Sequence, residues 1–134
     1  MTKKRIVALF TAVVFMFLMS VSAAARASDQ ISAYDIQVTP SSGEIRIYFH
    51  VNGAGLMNEL GCESIYVYEV GKSIPVESWD EDDYGMTRSN GFAYSHTIYC
   101  DSEKDVEYKV VVTIFAEDDD GRDSRSKTFY VTGE

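Results

Sequence analysis

The feature that most limits how this chain can fold is an alternation of apolar residues near its C-terminal end. Between Val106 and Val131, apolar side chains recur at every second position, which places them on one face of a β-strand. These residues are Tyr108, Val110, Val112, Ile114 and Ala116. Asp120-Gly121 follows, a strong hairpin signal, and Lys127–Val131 can form a second short strand. The pattern therefore predicts a closing β-hairpin with one buried face and an acidic tip.

The N-terminal segment, residues 1–27, has the composition of a secretory signal peptide. Three basic residues precede a long apolar run, and Ala25-Arg26-Ala27 fits the small-x-small cleavage pattern. We expect cleavage before Ser28; cleavage before Arg26 and an uncleaved membrane anchor are the alternatives. Residues 28–134 are then expected to be secreted as one domain with no membrane segment.

Acidic residues dominate the charge of the chain, with 21 Asp and Glu against 12 Lys and Arg. Removal of residues 1–27 takes away four basic residues and no acidic ones, which leaves a net charge of −13 over 107 residues. Binding to nucleic acid or to anionic lipid needs a basic surface. We therefore expect neither nucleic acid nor a membrane surface among its partners.

Alternating or β-branched runs predict five further strands upstream of the closing hairpin. They are Tyr34–Val38, Ile45–Val51, Ser64–Val70, Ile74–Trp79 and Phe92–Cys100. Leu56–Leu60 is predicted to form one helical turn that ends at Gly61, since Gly commonly follows the last turn of a helix. Seven short strands without a long helix predict a single antiparallel β-sandwich.

Tyr108 stands at the start of the long strand, directly after a tight loop at Asp101–Asp105. A tyrosine there resembles the tyrosine corner of immunoglobulin-like sandwiches, in which the hydroxyl group hydrogen-bonds back to the backbone. With the Ile65–Glu69 run and the Asp120-Gly121 hairpin, the order of elements resembles a fibronectin type III module over about residues 31–132. The resemblance implies an immunoglobulin-like β-sandwich.

The chain departs from that family in one respect. In the order of that module, Ile45–Val51 is strand B, Ser64–Val70 is strand C and Phe92–Cys100 is strand E. The Trp that is usually buried on strand B is absent, because Ile47 or Phe49 occupies that region. The only Trp is Trp79, which follows strand C. The exact subfamily therefore stays open.

A second resemblance is narrower and concerns small, uncharacterised secreted proteins of Gram-positive gut bacteria. The residues that carry it are Met57–Gly61 (MNELG) before Ile65–Glu69 (IYVYE), Asn90, Tyr108 and the FAEDDDGRDSRS segment from Phe115 to Ser126. Those chains also combine a signal peptide with one β-sandwich. The resemblance implies fold and location and carries no activity.

Cys62 and Cys100 are the only cysteines, and an even number in a secreted chain favours a disulfide. The predicted strand order opposes one, because Cys62 opens strand C at one end of the sandwich and Cys100 closes strand E at the other. A strand of six residues spans roughly 20 Å, whereas bridged Cα atoms lie within about 7 Å. We expect free thiols or intermolecular partners, with an intramolecular bridge as the alternative.

The sequence contains no arrangement of residues typical of an enzyme. His50 is predicted to face away from the core and His96 to point inward or to the sheet edge, so they make a poor metal or base pair. There is no G-x-S-x-G elbow, Gly-rich phosphate loop or H-E-x-x-H motif. We therefore expect a protein that is not an enzyme and that uses no cofactor and no metal.

Two acidic segments, Glu77–Tyr84 and Glu117–Asp123, contain enough oxygen ligands for Ca²⁺. Neither has the EF-hand spacing: counting back from Gly121, Ala116 occupies the position of the first ligand. Solvated loops are the preferred interpretation, and a calcium site is the alternative.

The first of these segments also contains the residues for which we predict a binding role. Trp79 and Tyr84 flank the carboxylates of Asp80, Asp82 and Asp83. Aromatic side chains beside carboxylates can form a protein-binding hot spot or stack on a sugar ring, and they can also simply cap the core.

We therefore expect a secreted, non-enzymatic immunoglobulin-like β-sandwich that binds a protein or glycan through its loops. The alternative function is a carbohydrate-binding accessory module that uses Trp79 and Tyr84.

Overall fold

The computed structural model describes residues 30–134, and their regular secondary structure is all β-strand. The strands are β1 (Ile31–Ser41), β2 (Glu44–Glu69), β3 (Glu77–Asp80), β4 (Thr87–Asp101), β5 (Glu107–Asp118) and β6 (Gly121–Thr132). All pairs are antiparallel and all six strands belong to one sheet, which confirms the predicted all-β antiparallel class.

The predicted signal peptide, residues 1–27, lies outside the described residues. In the part of the chain that is described, no helix is long and apolar enough to cross a membrane.

β2 is the strand around which the sheet is organised. Its first part, residues 44–52, pairs with β1 on one side and with β4 on the other. Its later part, residues 59–69, pairs with β5, and residues 64–67 also pair with β3. The register against β4 shifts between Asn52 and Met57. β4 continues past this irregularity and pairs with residues 57–61, while the partner on the other side of β2 changes from β1 to β5.

The six strands differ from the seven that the sequence predicts. The predicted strands Ile45–Val51 and Ser64–Val70 are two parts of the single strand β2. The helical turn predicted at Leu56–Leu60 is wrong, because these residues continue β2. Gly61, the expected helix stop, instead lies inside β2 with a φ of 149°. Its lack of a side chain leaves room for the backbone carbonyl of Met86, which lies between β3 and β4.

The sheet curls around its core, so that β1 and β6 approach each other at one end. The amide of Ile31 in β1 donates a hydrogen bond to the carboxylate of Asp123 in β6 (3.3 Å). The side-chain amide of Gln30, which directly precedes β1, donates to Asp118 at the end of β5 (3.2 Å). The concave face carries the fully buried side chains. They include Ile45, Ile47, Phe49, Val51, Leu60, Ile65, Val67, Val110, Val112 and Ile114.

The closing hairpin is confirmed, but its second strand is longer than predicted. β6 begins at Gly121 rather than Lys127, after a two-residue turn at Asp119-Asp120. The positions of β6 that share a register face with the buried residues of β5 include Asp123, Arg125 and Lys127. Charged residues replace apolar ones there because β6 is an edge strand, so the alternation is lost.

Tyr108 makes the backbone contact that the sequence predicts. Its side chain is buried at the start of β5, and its hydroxyl oxygen accepts a hydrogen bond of 2.8 Å from the amide of Glu103. The donor lies five residues upstream, in the loop between β4 and β5. This hydrogen bond fixes the loop against the end of the core.

Both cysteines are free and buried. Cys62 lies opposite Ile114 of β5, and Cys100 lies opposite Ile45 of β2. Burial raises the pKa of Cys62 to about 12 and that of Cys100 to about 11. Both thiols therefore stay protonated at neutral pH.

Candidate functional site

The residues predicted to bind a partner lie at the end of β3 and in the segment that follows it. We call residues 81–86 the β3–β4 loop. Trp79 and Asp80 are the last two residues of β3, and Asp82, Asp83 and Tyr84 are in the loop. The five predicted residues therefore lie in one short segment, residues 79–84, at the end of β3.

Trp79 and Tyr84 differ sharply in exposure. Trp79 lies opposite Ile65 of β2, is half-buried and packs against the core. Tyr84 is 96% exposed. One aromatic side chain therefore helps to close the core beside β3, while the other extends into solvent.

Two of the three carboxylates in the segment organise the turn itself. The carboxylate of Asp83 accepts a hydrogen bond from the amide of Asp80 (2.8 Å), and the carboxylate of Asp80 accepts one from the amide of Asp82 (2.9 Å). Such side-chain to backbone bonds are typical of Asp in tight turns. The side chains of all three residues remain exposed.

Contacts with three other strands hold the β3–β4 loop in place. The hydroxyl of Tyr94 donates to the carbonyl of Gly85 (2.8 Å), and the amide of Cys62 donates to the carbonyl of Met86 (2.8 Å). The side chain of Met86 is fully buried. At its other end, the loop is joined to β6 by the ion pair between Glu81 and Arg122 (3.0 Å). Both ends of the loop are thus held in place by contacts with the sheet, and the tip between them extends into solvent.

Arg122 is the centre of a group of side chains that we call the Arg122 cluster: Arg122, Glu63, Glu81, Glu117 and Phe115. The guanidinium lies 3.0 Å from carboxylate oxygens of Glu63 and Glu81 and 3.2 Å from one of Glu117. It also covers the ring of Phe115, with its central carbon 4.0 Å from the ring centroid. The cluster joins β2, β5, β6 and the β3–β4 loop.

The charge of Arg122 is strongly favoured in this position. Burial alone lowers its pKa, but hydrogen bonds to Glu81, Glu63 and Glu117 raise the pKa more, and the net shift is upward. Sequence reasoning missed this cluster. Arg122 and Glu63 are 59 positions apart, so no local spacing indicates their contact.

A second group of side chains that the sequence did not reveal lies beneath the loop. The rings of Tyr94 and His96 are stacked with centroids 6.3 Å apart, and the ring of Phe49 lies 6.0 Å from Tyr94 and 6.4 Å from His96. Gly85 lies so close to His96 that a β-carbon would collide with the imidazole. Burial raises the pKa of the Tyr94 hydroxyl.

The two histidines lie in different surroundings. His96 is half-buried against Phe49, as its predicted inward or edge position requires. The Nε2 atom of His50 lies 2.9 Å from the side-chain oxygen of Asn52. Within residues 30–134, no group of three or more His, Cys, Asp or Glu side chains is arranged to hold a metal ion.

The carboxylates of the acidic hairpin tip make contacts within the protein. Asp118 accepts hydrogen bonds from the amides of Asp120 (2.9 Å) and Gly121 (3.2 Å). The carboxylate of Asp119 accepts one from the side chain of Asn58 (2.8 Å), while Glu117 belongs to the Arg122 cluster. The tip therefore stabilises its own turn and the neighbouring bend of β2.

Comparisons with known proteins do not identify a family. No family model matches the sequence, and no curated protein matches it. Among solved structures, the chain is similar to a superoxide reductase from Nanoarchaeum equitans at 9% identity and a TM-score of 0.37, over 72% of this chain and 91% of that one. It is also similar to the sulfur carrier protein SoxY from Chlorobium limicola f thiosulfatophilum at 15% identity and a TM-score of 0.35, over 87% of this chain and 96% of that one. Neither similarity carries an argument about activity.

Proposed function

We propose that this chain is a secreted, non-enzymatic protein of immunoglobulin-like architecture that binds a protein partner through the β3–β4 loop. The observation that carries the proposal is the 96% exposure of Tyr84 on a loop that is held at Glu81, Gly85 and Met86. Tyr is enriched at binding hot spots. A loop that is already ordered loses little conformational entropy when a partner binds.

The pairing of β2 supports the immunoglobulin-like part of the proposal. Its residues 44–52 pair with β1 and β4, and its residues 59–69 pair with β5 and β3, while β6 is joined through β5. β4 runs from one group to the other, because its residues 87–91 pair with residues 57–61 of β2. Two such groups facing each other across one core would form the layers of a sandwich. The hydrogen bond at the Tyr108 hydroxyl is the contact expected of a tyrosine corner.

The surroundings of the reactive side chains support a non-enzymatic role. Cysteine acts as a nucleophile in its thiolate form, and burial raises the pKa of both Cys62 and Cys100. His50 and His96 make separate contacts, with Asn52 and Phe49 respectively. Neither histidine is thus paired with a thiol in the contacts described.

The test compares three immobilised proteins for binding of secreted and host proteins: the wild type, Tyr84→Ala and Tyr130→Ala. Tyr130 is 64% exposed on β6 and serves as the matched control for loss of a surface tyrosine. We expect a partner to bind the wild type and Tyr130→Ala alike. Its affinity for Tyr84→Ala should be at least about tenfold lower, since truncation of a hot-spot residue costs about 2 kcal/mol or more and 1.4 kcal/mol corresponds to tenfold. Equal binding by both variants would contradict the proposal.

A glycan array with the same three proteins distinguishes the carbohydrate-binding alternative. If the wild type binds a glycan and Tyr84→Ala does not, the partner of the β3–β4 loop is a sugar and not a protein. Trp79→Phe, which keeps an aromatic ring at the half-buried position, shows whether Trp79 takes part.

A further inference from the structure

β4 is a free edge of the sheet. Its residues 87–89, 91 and 93–101 pair with β2 on one side. Within residues 30–134, no main-chain hydrogen bond joins them to a strand on the other side. A free edge presents unpaired amide and carbonyl groups and is a template for another strand.

This edge lacks the features that protect the other two long edges. β1 carries Asp35 and Pro40, and β6 carries four charged residues between Arg122 and Lys127. Charge and Pro are the usual means by which edge strands resist pairing. In contrast, residues 92–100 read FAYSHTIYC, with no charged residue, Pro or Gly. Phe92 is 66% and Tyr99 is 56% exposed along this edge.

A shallow groove runs beside the same edge. It has a volume of about 260 Å³ and is lined by His50, Arg88, Ala93, Tyr94 and Ser95. Three of these residues belong to the uncharged part of β4. Since His50 is the β2 partner of Ser95, the groove lies over the β2–β4 pair next to the edge.

The two ends of β4 carry opposite charges. Arg88 is near its start and Asp101 is its last residue, and both are exposed. Neither forms an ion pair with another residue of the described part of the chain. If two copies of β4 pair in antiparallel orientation with the twofold axis between Tyr94 and Ser95, Arg88 of each copy lies opposite Asp101 of the other. Parallel pairing would instead bring like charges together.

We propose that a second copy of this chain occupies the edge. The two protomers then pair antiparallel through β4 and are related by a twofold axis. The charge distribution favours this occupant. The chain has a net charge of −9 and two copies repel each other, so an uncharged edge with complementary ends is where they can approach. The segment β1–β2–β4 then continues into the same strands of the partner. Because a strand edge buries less area than a typical stable interface, the dimer is reversible.

The test measures the mass of the purified protein by sedimentation at increasing concentration. We expect a concentration-dependent dimer for the wild type, and monomers for Arg88→Glu and for Asp101→Arg, since each places like charges opposite each other. The double variant Arg88→Glu/Asp101→Arg exchanges the charges and should restore the dimer. Lys127→Glu on β6 is the matched control and should still dimerise. Circular dichroism establishes that each variant is folded.

Hydrogen exchange gives an independent measurement. Amides of residues 93–100 should exchange more slowly at high protein concentration, whereas those of β1 and β6 should not change. A wild-type protein that stays monomeric at all concentrations would overturn the proposal, including the case in which β4 binds a strand of a different protein. A dimer that both single charge changes leave intact, or a double variant that remains monomeric, would overturn it as well.

Discussion

The main-chain carbonyl of Met86 occupies the space that a β-carbon on Gly61 would fill. The same carbonyl accepts the hydrogen bond from the neighbouring Cys62 amide. Through this contact, the end of the β3–β4 loop rests directly on the backbone of β2. Gly61 therefore matters both for its φ of 149° and for the absence of its side chain.

Substitution of Gly61 by Ala should destabilise the protein. The β-carbon would force the packed backbone at Met86 to move, and Ala disfavours the φ of this position. We expect the free energy of unfolding to fall by about 2–3 kcal/mol in urea denaturation. Gly43→Ala is the control: its φ is 79°, no atom lies within 4 Å of its β-carbon position, and the loss should be about 1 kcal/mol. Equal losses in the two variants would show that the contact with Met86 is unimportant.

Removal of the Tyr108 hydroxyl should weaken the corner between β4 and β5. Tyr108→Phe leaves the amide of Glu103 without its acceptor at a site where the tyrosine is 3% exposed. We expect a loss of about 1–2 kcal/mol in the free energy of unfolding. Tyr130→Phe, at a side chain that is 64% exposed, should change it by less than about 0.5 kcal/mol. A neutral Tyr108→Phe would mean that water replaces the hydroxyl at no cost.

Loss of the ion pair between Glu81 and Arg122 should free one end of the β3–β4 loop. Glu81→Gln removes the charge that joins the loop to β6, while Glu63 and Glu117 still neutralise Arg122. We expect chymotrypsin to cleave native protein after Tyr84 several times faster, with little change in global stability. Glu77→Gln, which removes a carboxylate from an exposed residue of β3, is the control. Unchanged cleavage in Glu81→Gln would indicate that Met86 and Gly85 alone hold the loop.

The buried thiols predict a loss of stability at alkaline pH. In the folded protein the pKa of Cys62 is raised to about 12 and that of Cys100 to about 11, so the folded state holds these protons more tightly than the unfolded state. Their contribution is complete below the ordinary thiol pKa of about 8.5 and decreases above it, by up to about 1.4 kcal/mol per pH unit for each thiol.

Urea denaturation between pH 7 and 10.5 measures this dependence. The double variant Cys62→Ala/Cys100→Ala retains the same Tyr and Lys residues, so its stability should fall less steeply with pH than that of the wild type. Parallel pH profiles for the two proteins would contradict the prediction. Ellman's reagent should detect two thiols per chain in denaturant and almost none in the native protein.

The strands that the sequence predicts well are those with one buried and one exposed face. In Ile45–Val51 and along β5, apolar residues alternate with polar ones because core and solvent alternate along the strand. β6 is different: the edge position allows Asp123 and Arg125 on the inward register, so its first half carries no such signal. The continuity of β2 was missed because its glycines and polar residues resemble a loop, although they span an irregularity within the strand.

The sequence indicated that the segment after β3 lies at the surface, but it did not indicate the contacts that hold the segment in place; the binding role of its residues stays a prediction. The acidic, aromatic composition of the segment after β3 indicated a surface loop, and Tyr84 is indeed almost fully exposed. The contacts that hold the loop could not be predicted from sequence spacing. They are made by Arg122, Tyr94 and Cys62, which belong to other strands. Long-range contacts of this kind depend on strand register, which the sequence pattern leaves open.

The shared position of β2 between β1, β3, β4 and β5 also bears on the order in which the chain can assemble. The β1–β2 and β5–β6 hairpins close over short turns and can form early from local contacts. Neither can complete a core alone, because the buried residues of β5 lie opposite residues of β2 that are 39 to 56 positions away in the chain. Every later pairing requires β2 to be in place. If β2 detached from the sheet, four strands would lose a neighbour at once. The protein should therefore unfold as a single cooperative unit.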